Sequence, residues 1–276
     1  MNFFISLSLV FVCVLSLADD KAATSQSTLS DNNLEQSKYS LGVFLETSSF
    51  TYEESHMKDS GTLNGFNLLG QYKFTPSFAM NGRVNYLSGK LEYDGQLMSG
   101  TPLKSDDHYT VLDLSLETEL LTDLSRTVDT SFIFGLGTRT TSDANDPTPY
   151  DYRREHIYNY YTFVLQTIVP HKDSSQTKMY LGFDNMISGH VKTYLSDVDA
   201  RYPDMDMKFS SGTALKLGVS HSRQFNFGRI YGGISYKKWS LADSEVAVVK
   251  INGVNNYMVE PSNATTVLAL DLGLIF

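Results

Sequence analysis

The chain has 276 residues, 41% hydrophobic and 19% charged, with a mean hydropathy of -0.21, so it is neither a helical membrane protein nor a disordered polar tail. Its 22 Lys and Arg against 31 Asp and Glu give a net charge of -9 and a pI near 5.1, which argues against a nucleic acid as partner. With 17 Tyr and 16 Phe but one Trp and one Cys, the composition favours strands and excludes a disulfide scaffold or a Cys-ligated metal site, and nothing in it calls for a metal or cofactor.

Residues 3–15 form an apolar run too short to span a bilayer as a helix, ending in Ser16-Leu17-Ala18 before Asp19-Asp20. This predicts a signal peptide over 1–18, cleaved near Ala18, although no Lys or Arg precedes the run. Cys13 lies inside that segment, so the mature chain would carry no thiol, which suits an oxidising compartment. Residues 19–37 are rich in Ser, Thr, Asp, Asn and Gln and predict a flexible leader. No later stretch reaches 18 consecutive apolar residues, so an exported chain is either soluble, as a β-sandwich would be, or crosses a membrane as a closed barrel.

Periodicity favours the barrel. Leu112, Leu114, Leu116 and Leu120 share one face while Asp113, Ser115, Glu117 and Glu119 share the other, and residues 266–276 repeat the alternation. Strands are expected near 38–53, 62–74, 78–92, 108–121, 127–140, 154–169, 177–192, 209–222, 228–242 and 264–276. Most exceed the roughly 9 to 11 residues that cross a bilayer at a tilt. Connections alternate between long ones, near 54–61, 93–107, 141–153, 193–208 and 243–263, and short polar ones such as Thr75-Pro76-Ser77. That is the asymmetry of an all-β, closed, antiparallel up-and-down transmembrane β-barrel over 38–276, with long external loops and a leader and both termini in the periplasm. Ten strands are predicted; eight or twelve stay open, because two external loops contain strand-like segments. One of these, Asn252-Gly253 between Val246–Ile251 and Val254–Val259, carries a two-residue hairpin signal. Tyr72, Phe74, Phe78 and Phe276 fall at the expected periplasmic rim, and Tyr52, Tyr93, Tyr109, Tyr194 and Trp239 near the outer one.

If the apolar face meets lipid, the opposite face lines the lumen with Glu46, Asp113, Glu117, Glu119, Asp129, Asp184 and Asp271, and with Lys73, Arg83, Arg139, Lys178, Lys216, Arg229 and Lys237. Balanced charge in a narrow lumen predicts a paired ionic plug, with a charge-selective pore as the alternative. On this register a charge at Leu114 or Leu270 should block insertion, whereas Asp113→Asn should be tolerated. Asp106-Asp107-His108 and Asp204-Met205-Asp206 supply an acid-x-His pair and an acid-x-acid pair in external segments, on rims that could face each other. Asp197, Asp199, Asp204 and Asp206 offer oxygen ligands of the kind calcium takes. His221-Ser222 sits beside a turn without a third catalytic member, and the Asn263-Ala264-Thr265 sequon is uninformative in a bacterial envelope.

Asp106 with His108 and Asp204 with Asp206 resemble the pairs of the omptin surface proteases, ten-stranded barrels in which an Asp-His pair and an Asp pair activate water, although here the pairs occur in the opposite chain order. Across a longer stretch, Tyr93-Asp94-Gly95 with Gly100-Thr101-Pro102, Tyr152-Arg153-Arg154-Glu155, Tyr194-Leu195-Ser196-Asp197-Val198, Tyr236-Lys237-Lys238-Trp239 with Asp243-Ser244, and Glu260-Pro261-Ser262-Asn263 resemble, in their order, a group of largely uncharacterised proteobacterial outer-membrane β-barrel proteins. The resemblance implies a barrel in the bacterial outer membrane, contacting its lipid and lipopolysaccharide, with Phe276 as the end recognised by the assembly machinery. It implies no activity. The sequence therefore predicts a plugged barrel with a surface-interaction or envelope-structural role through its acidic loops and an unidentified external ligand, with a small pore and a surface hydrolase as rivals.

Overall fold

The computed structural model describes residues 38–96, 100–125, 128–145, 152–251 and 253–276. The expected signal peptide, its cleavage near Ala18 and the leader to residue 37 lie outside the described residues. Ten long strands make up the wall: β1 (Tyr39–Glu53), β2 (Lys58–Thr75), β3 (Phe78–Gln96), β4 (Pro102–Ser125), β5 (Val128–Asn145), β6 (Arg154–Pro170), β7 (Ser175–Thr193), β9 (Gly212–Phe225), β10 (Gly228–Leu241) and β13 (Asn263–Ile275). Each pairs antiparallel with its neighbours, β6 pairs with β7, and β1 pairs with β13 from Gly42 opposite Ile275 to Glu53 opposite Ala264, so the sheet closes. Closure leaves no wall-strand edge to solvate, the condition for a sheet to cross a bilayer. The chain end shares in it: the Phe276 amide donates to the Leu41 carbonyl at 2.8 Å and its carbonyl accepts from the Leu41 amide at 3.1 Å.

Two-residue alternation sorts the side chains. Leu41, Val43 and Leu45 of β1, Phe132, Phe134 and Leu136 of β5, and Leu268, Leu270 and Leu272 of β13 point outward and are exposed, and the other wall strands continue this belt. Above it the outward positions turn polar, as in Ser88, Lys90, Glu92 and Asp94 of β3 and Lys104, Asp106, His108 and Thr110 of β4. β4 has 24 residues, about twice what a tilted crossing requires, so the wall continues well beyond the belt.

That extension corrects three expected loops. Strand covers 58–61 of the expected loop 54–61, 93–96 and 102–107 of 93–107, and 141–145 of 141–153, because polar residues at outward positions beyond the lipid belt alternate with buried inward ones and look like loop when only polarity is read. The last two external connections are long. One holds a 3-10 turn (Leu195–Asp197) and β8 (Met205–Lys208), which pairs with the top of β7. The other holds a hairpin of β11 (Ala247–Ile251) and β12 (Val254–Met258), with Gly253 at φ +83° where its missing Cβ permits the turn. Asn252 lies outside the described residues.

One bulge re-phases the wall. Asn159 opposes Ser188 while Tyr160 opposes Met186, so Ile187 is an extra residue on β7. Inward burial on β7 accordingly shifts from Gly182 and Asp184 to Gly189, Val191 and Thr193.

Candidate functional site

The interior changes character along the barrel. On the side of the tight turns it is polar, with Gln71, Asn81 and Gln166 donating to Glu119 at 3.1, 3.1 and 3.3 Å, Ser115 donating to Glu117 at 3.1 Å, and Asn85 hydrogen-bonded to Glu46. Further out, the inward positions of β4, β5, β6, β7, β9 and β10 supply an ionic network. Asp113 accepts from Tyr160 at 2.5 Å and pairs with Arg139 and Lys237, each at 3.4 Å. Lys237 also reaches Asp184 at 2.9 Å, and Asp184 pairs with Lys216 at 2.9 Å.

Beyond this waist much of the interior is apolar. Phe50, Leu63, Leu87, Leu91, Tyr109 and Val111 form one buried cluster. A second is built on Tyr158, Tyr160, Val191, Phe209, Trp239 and Leu241, and β8 contributes Met205 and Met207 and the β11 strand Val249. The two long external connections are therefore folded inward, with apolar faces packed into the outer half of the barrel.

A second charged network joins them to the wall. Arg154, at the first position of β6, binds Asp143 of β5 through Nε at 3.0 Å, Glu54 at 3.0 Å and Glu260 of the last external connection at 3.4 Å. His156 Nε2 lies 3.2 Å from the same Glu260 oxygen, and Tyr52 Oη 3.5 Å from it. Glu260 is held in turn by Ser244, whose hydroxyl accepts from its amide at 2.8 Å and whose amide donates to its carbonyl at 2.9 Å. Burial opposes ionisation of Glu260, but the hydrogen bond from His156 and the charge of Arg154 outweigh it and hold the carboxyl well below its usual range. Asp59 is the converse. Fully buried, with Asp107, Asp143 and Glu54 nearby and no hydrogen-bond partner for either oxygen among the described residues, it is pushed by burial up to about 8 despite the pull of Arg154.

All fourteen charged residues expected in the lumen occupy inward positions, but they do not form one plug. Asp113, Arg139, Asp184, Lys216 and Lys237 meet at the waist; Glu46, Glu117 and Glu119 are served by amides and a hydroxyl; Lys73, Arg83, Asp129, Lys178, Arg229 and Asp271 are in no ion pair within 4 Å among the described residues. The outer half is packed mainly by apolar side chains, which the expectation of a paired ionic plug did not include.

The residues weighed for catalysis do not converge. Asp106 and His108 are exposed on the outward face of β4, while Asp206 is on the outward face of β8 paired with His190 at 3.4 Å, with β5, β6 and β7 between them. Asp204 accepts from the Ser196 hydroxyl at 2.6 Å, Asp199 pairs with Arg201 at 2.5 Å, and Asp197 accepts from the Arg153 amide at 3.2 Å, so the carboxylates considered for calcium each have separate partners. His221 is exposed and contacts Thr177 at 3.1 Å, whereas Ser222 is buried on the opposite face of β9. The reading of single residues missed Asp59, Asp107, Asp143, Arg154, His156 and Glu260. A signal for Asp107 was present, because counting back by twos from Asp113 through Val111 and Tyr109 puts Asp107, and not Asp106 or His108, inside.

No protein-family model matches the chain, and no curated protein does. Among solved structures, the outer membrane protease OmpT from Escherichia coli matches at 10% identity over 91% of this chain and 99% of that one, with a TM-score of 0.57. The translocator domain of autotransporter NalP from Neisseria meningitidis matches at 8% identity, TM-score 0.40, over 98% and 97% of the two chains. Ail, the attachment invasion locus protein of Yersinia pestis, matches at 12% identity, TM-score 0.32, over 87% and 99%. The likeness to OmpT is one of fold, and with the closed sheet and apolar belt it defines the class: a ten-stranded transmembrane β-barrel.

Proposed function

We propose that this chain is an integral protein of the bacterial outer membrane whose barrel is shut in its outer half and which acts through its external surface, in contact with outer-membrane lipid and lipopolysaccharide. The observation that carries this reading is the inward folding of both long external connections, which place Val249, Met205, Met207 and Phe209 in the barrel interior and anchor Glu260 to Arg154 and His156. A channel needs a continuous polar path, and these side chains interrupt it. The short-turn end faces the periplasm, and Phe276, on the strand that closes the sheet, is the contact for the assembly machinery. The outward side of the β11–β12 hairpin is the contact surface: Val248 and Tyr257 are a cross-strand pair, flanked by Val246 and Val259, all exposed. A hydrolase is not supported, since His156 and Glu260 are almost wholly buried and leave no face for a substrate.

The test compares cells displaying the chain with cells displaying Val248→Ser together with Tyr257→Ser, scored for self-aggregation and for adhesion to a hydrophobic and a hydrophilic surface. Reduced adhesion with an unchanged heat-modifiable barrel band supports the reading. Equal adhesion overturns it.

A further inference from the structure

The inward cations fall into two populations. In the outer half and at the waist, Arg139, Arg154, Lys216 and Lys237 each sit within 3.4 Å of a carboxylate oxygen. On the side of the tight turns, Lys73 of β2, Arg83 of β3, Lys178 of β7 and Arg229 of β10 carry no ion pair and no side-chain hydrogen bond among the described residues. Lys178 faces Lys73, Arg83 and Arg229 as well as the carboxylate Glu119, Asp129 lies at its level two strands away, and Arg83 faces Glu117. Glu119 already accepts from Gln71, Asn81 and Gln166. Glu46 and Glu117 are likewise served by neutral donors, Asn85 and Ser115, while Asp271 lies opposite Glu46 in the β1–β13 register. Amides and a hydroxyl thus occupy oxygens of Glu46, Glu117 and Glu119, while Asp129 and Asp271 share this half without an ion pair to the four cations among the described residues.

These cations also keep accessible surface. Arg83 points inward, in line with buried Asn81 and Leu87, yet it is solvent-exposed, and Lys73, Lys178 and Arg229 are each partly exposed. Accessible cations whose donors are not taken up by the neighbouring carboxylates, inside a low-dielectric wall, can give those donors to a small anion.

We propose that the turn-side half of the lumen is an anion-binding vestibule, closed above by the waist network and the apolar clusters, in which Lys73, Arg83, Lys178 and Arg229 take a soluble phosphate- or carboxylate-bearing solute. The inference rests on the reading above only for calling this end periplasmic; binding itself does not depend on the orientation or on the external loops.

The test is calorimetric titration of the mature chain, refolded in uncharged detergent, with inorganic pyrophosphate at low salt. Saturable binding that weakens as salt is added, and that falls by about tenfold or more in Lys178→Gln with Arg83→Gln, is the expected result. Arg223→Gln, at the exposed rim 4.0 Å from Asp173, should bind as the parent does, and a heat-modifiable band shows that each variant is folded. No saturable binding at millimolar pyrophosphate, or an equal loss in Arg223→Gln, overturns the proposal. The titration is repeated in nanodiscs of zwitterionic and of anionic lipid. Equal affinity in both supports a soluble solute, and loss in anionic lipid alone overturns it in favour of a lipid phosphate. Independence of the vestibule from the surface function is visible in Val248→Ser with Tyr257→Ser, which should keep its pyrophosphate affinity.

Discussion

Arg154 is shared by Asp143, Glu54 and Glu260, which arrive from β5, the first external connection and the last. Removing it leaves three buried carboxylates without their cation, so Arg154→Ala should lower stability by about 3 to 5 kcal/mol, read as a shift of the urea midpoint of refolded barrel. Asp59 gives the opposite lesson. Its carboxyl is pushed up to about 8 in the folded barrel by burial, against an ordinary value of 3.8. Between those values the unfolded chain has already released its proton while the folded one retains it, so this group lowers stability progressively as pH rises from about 4 and reaches its full cost above about 8. Asp59→Asn should remove that slope, and the gain in its urea midpoint over the parent should grow between pH 5 and pH 8 before levelling off; a constant difference would contradict the assignment. Asp113→Asn, which period-two reading alone suggests is harmless, is expected to destabilise, because Asp113 is bound by Arg139, Lys237 and Tyr160 together. Alternation shows that Asp113 points inward, but not which groups arrive from β5, β6 and β10.

At the scale of the strand, the outward belt sets where charge is tolerated. Leu270 is in the belt, and Leu270→Lys should cost about 2 to 4 kcal/mol and reduce the heat-modifiable fraction on refolding into lipid. Ser88, outward on β3 with Asn64 and Thr110 as its cross-strand neighbours, is above the belt, and Ser88→Lys should refold as the parent does. Equal loss at both positions would contradict the register. All ten wall strands were legible from their alternation because one side meets lipid and the other a polar interior. The outer ends of β2, β3, β4 and β5 were not, since beyond the lipid the outward positions of β3 and β4 become Lys, Glu, Asp and Ser while the inward ones stay buried, reversing the cue. The Ile187 bulge had no local signature: it falls where β7 passes from pairing with β9, which ends at Asn185, to pairing with β8, which begins at His190.

For the whole molecule, the claim is that the outer half is shut by its own external connections, with Glu260 as the anchor of the last one. In a Cys13→Ser chain, Val249→Cys places a thiol at a position that is 7% exposed. Adding Glu260→Gln should speed its reaction with a maleimide by about tenfold or more, the factor that loss of about 1.4 kcal/mol of closing energy gives. An exposed Lys250→Cys should react equally fast in both backgrounds. The sequence indicated a plug from its balanced charges, but the apolar clusters that do most of the filling were hidden, because neither the hairpin signal around Val249 nor the expected strand start at Phe209 shows that these side chains turn into the barrel, and Met205 lies in an expected loop.

The most direct measurement is single-channel conductance of the barrel refolded into a planar bilayer, after gels confirm that it is folded. A sealed outer half predicts a silent membrane with the parent chain, and discrete steps once Glu260→Gln has loosened the last connection. Reproducible steps from the parent itself would contradict the account and make the lumen an open pore.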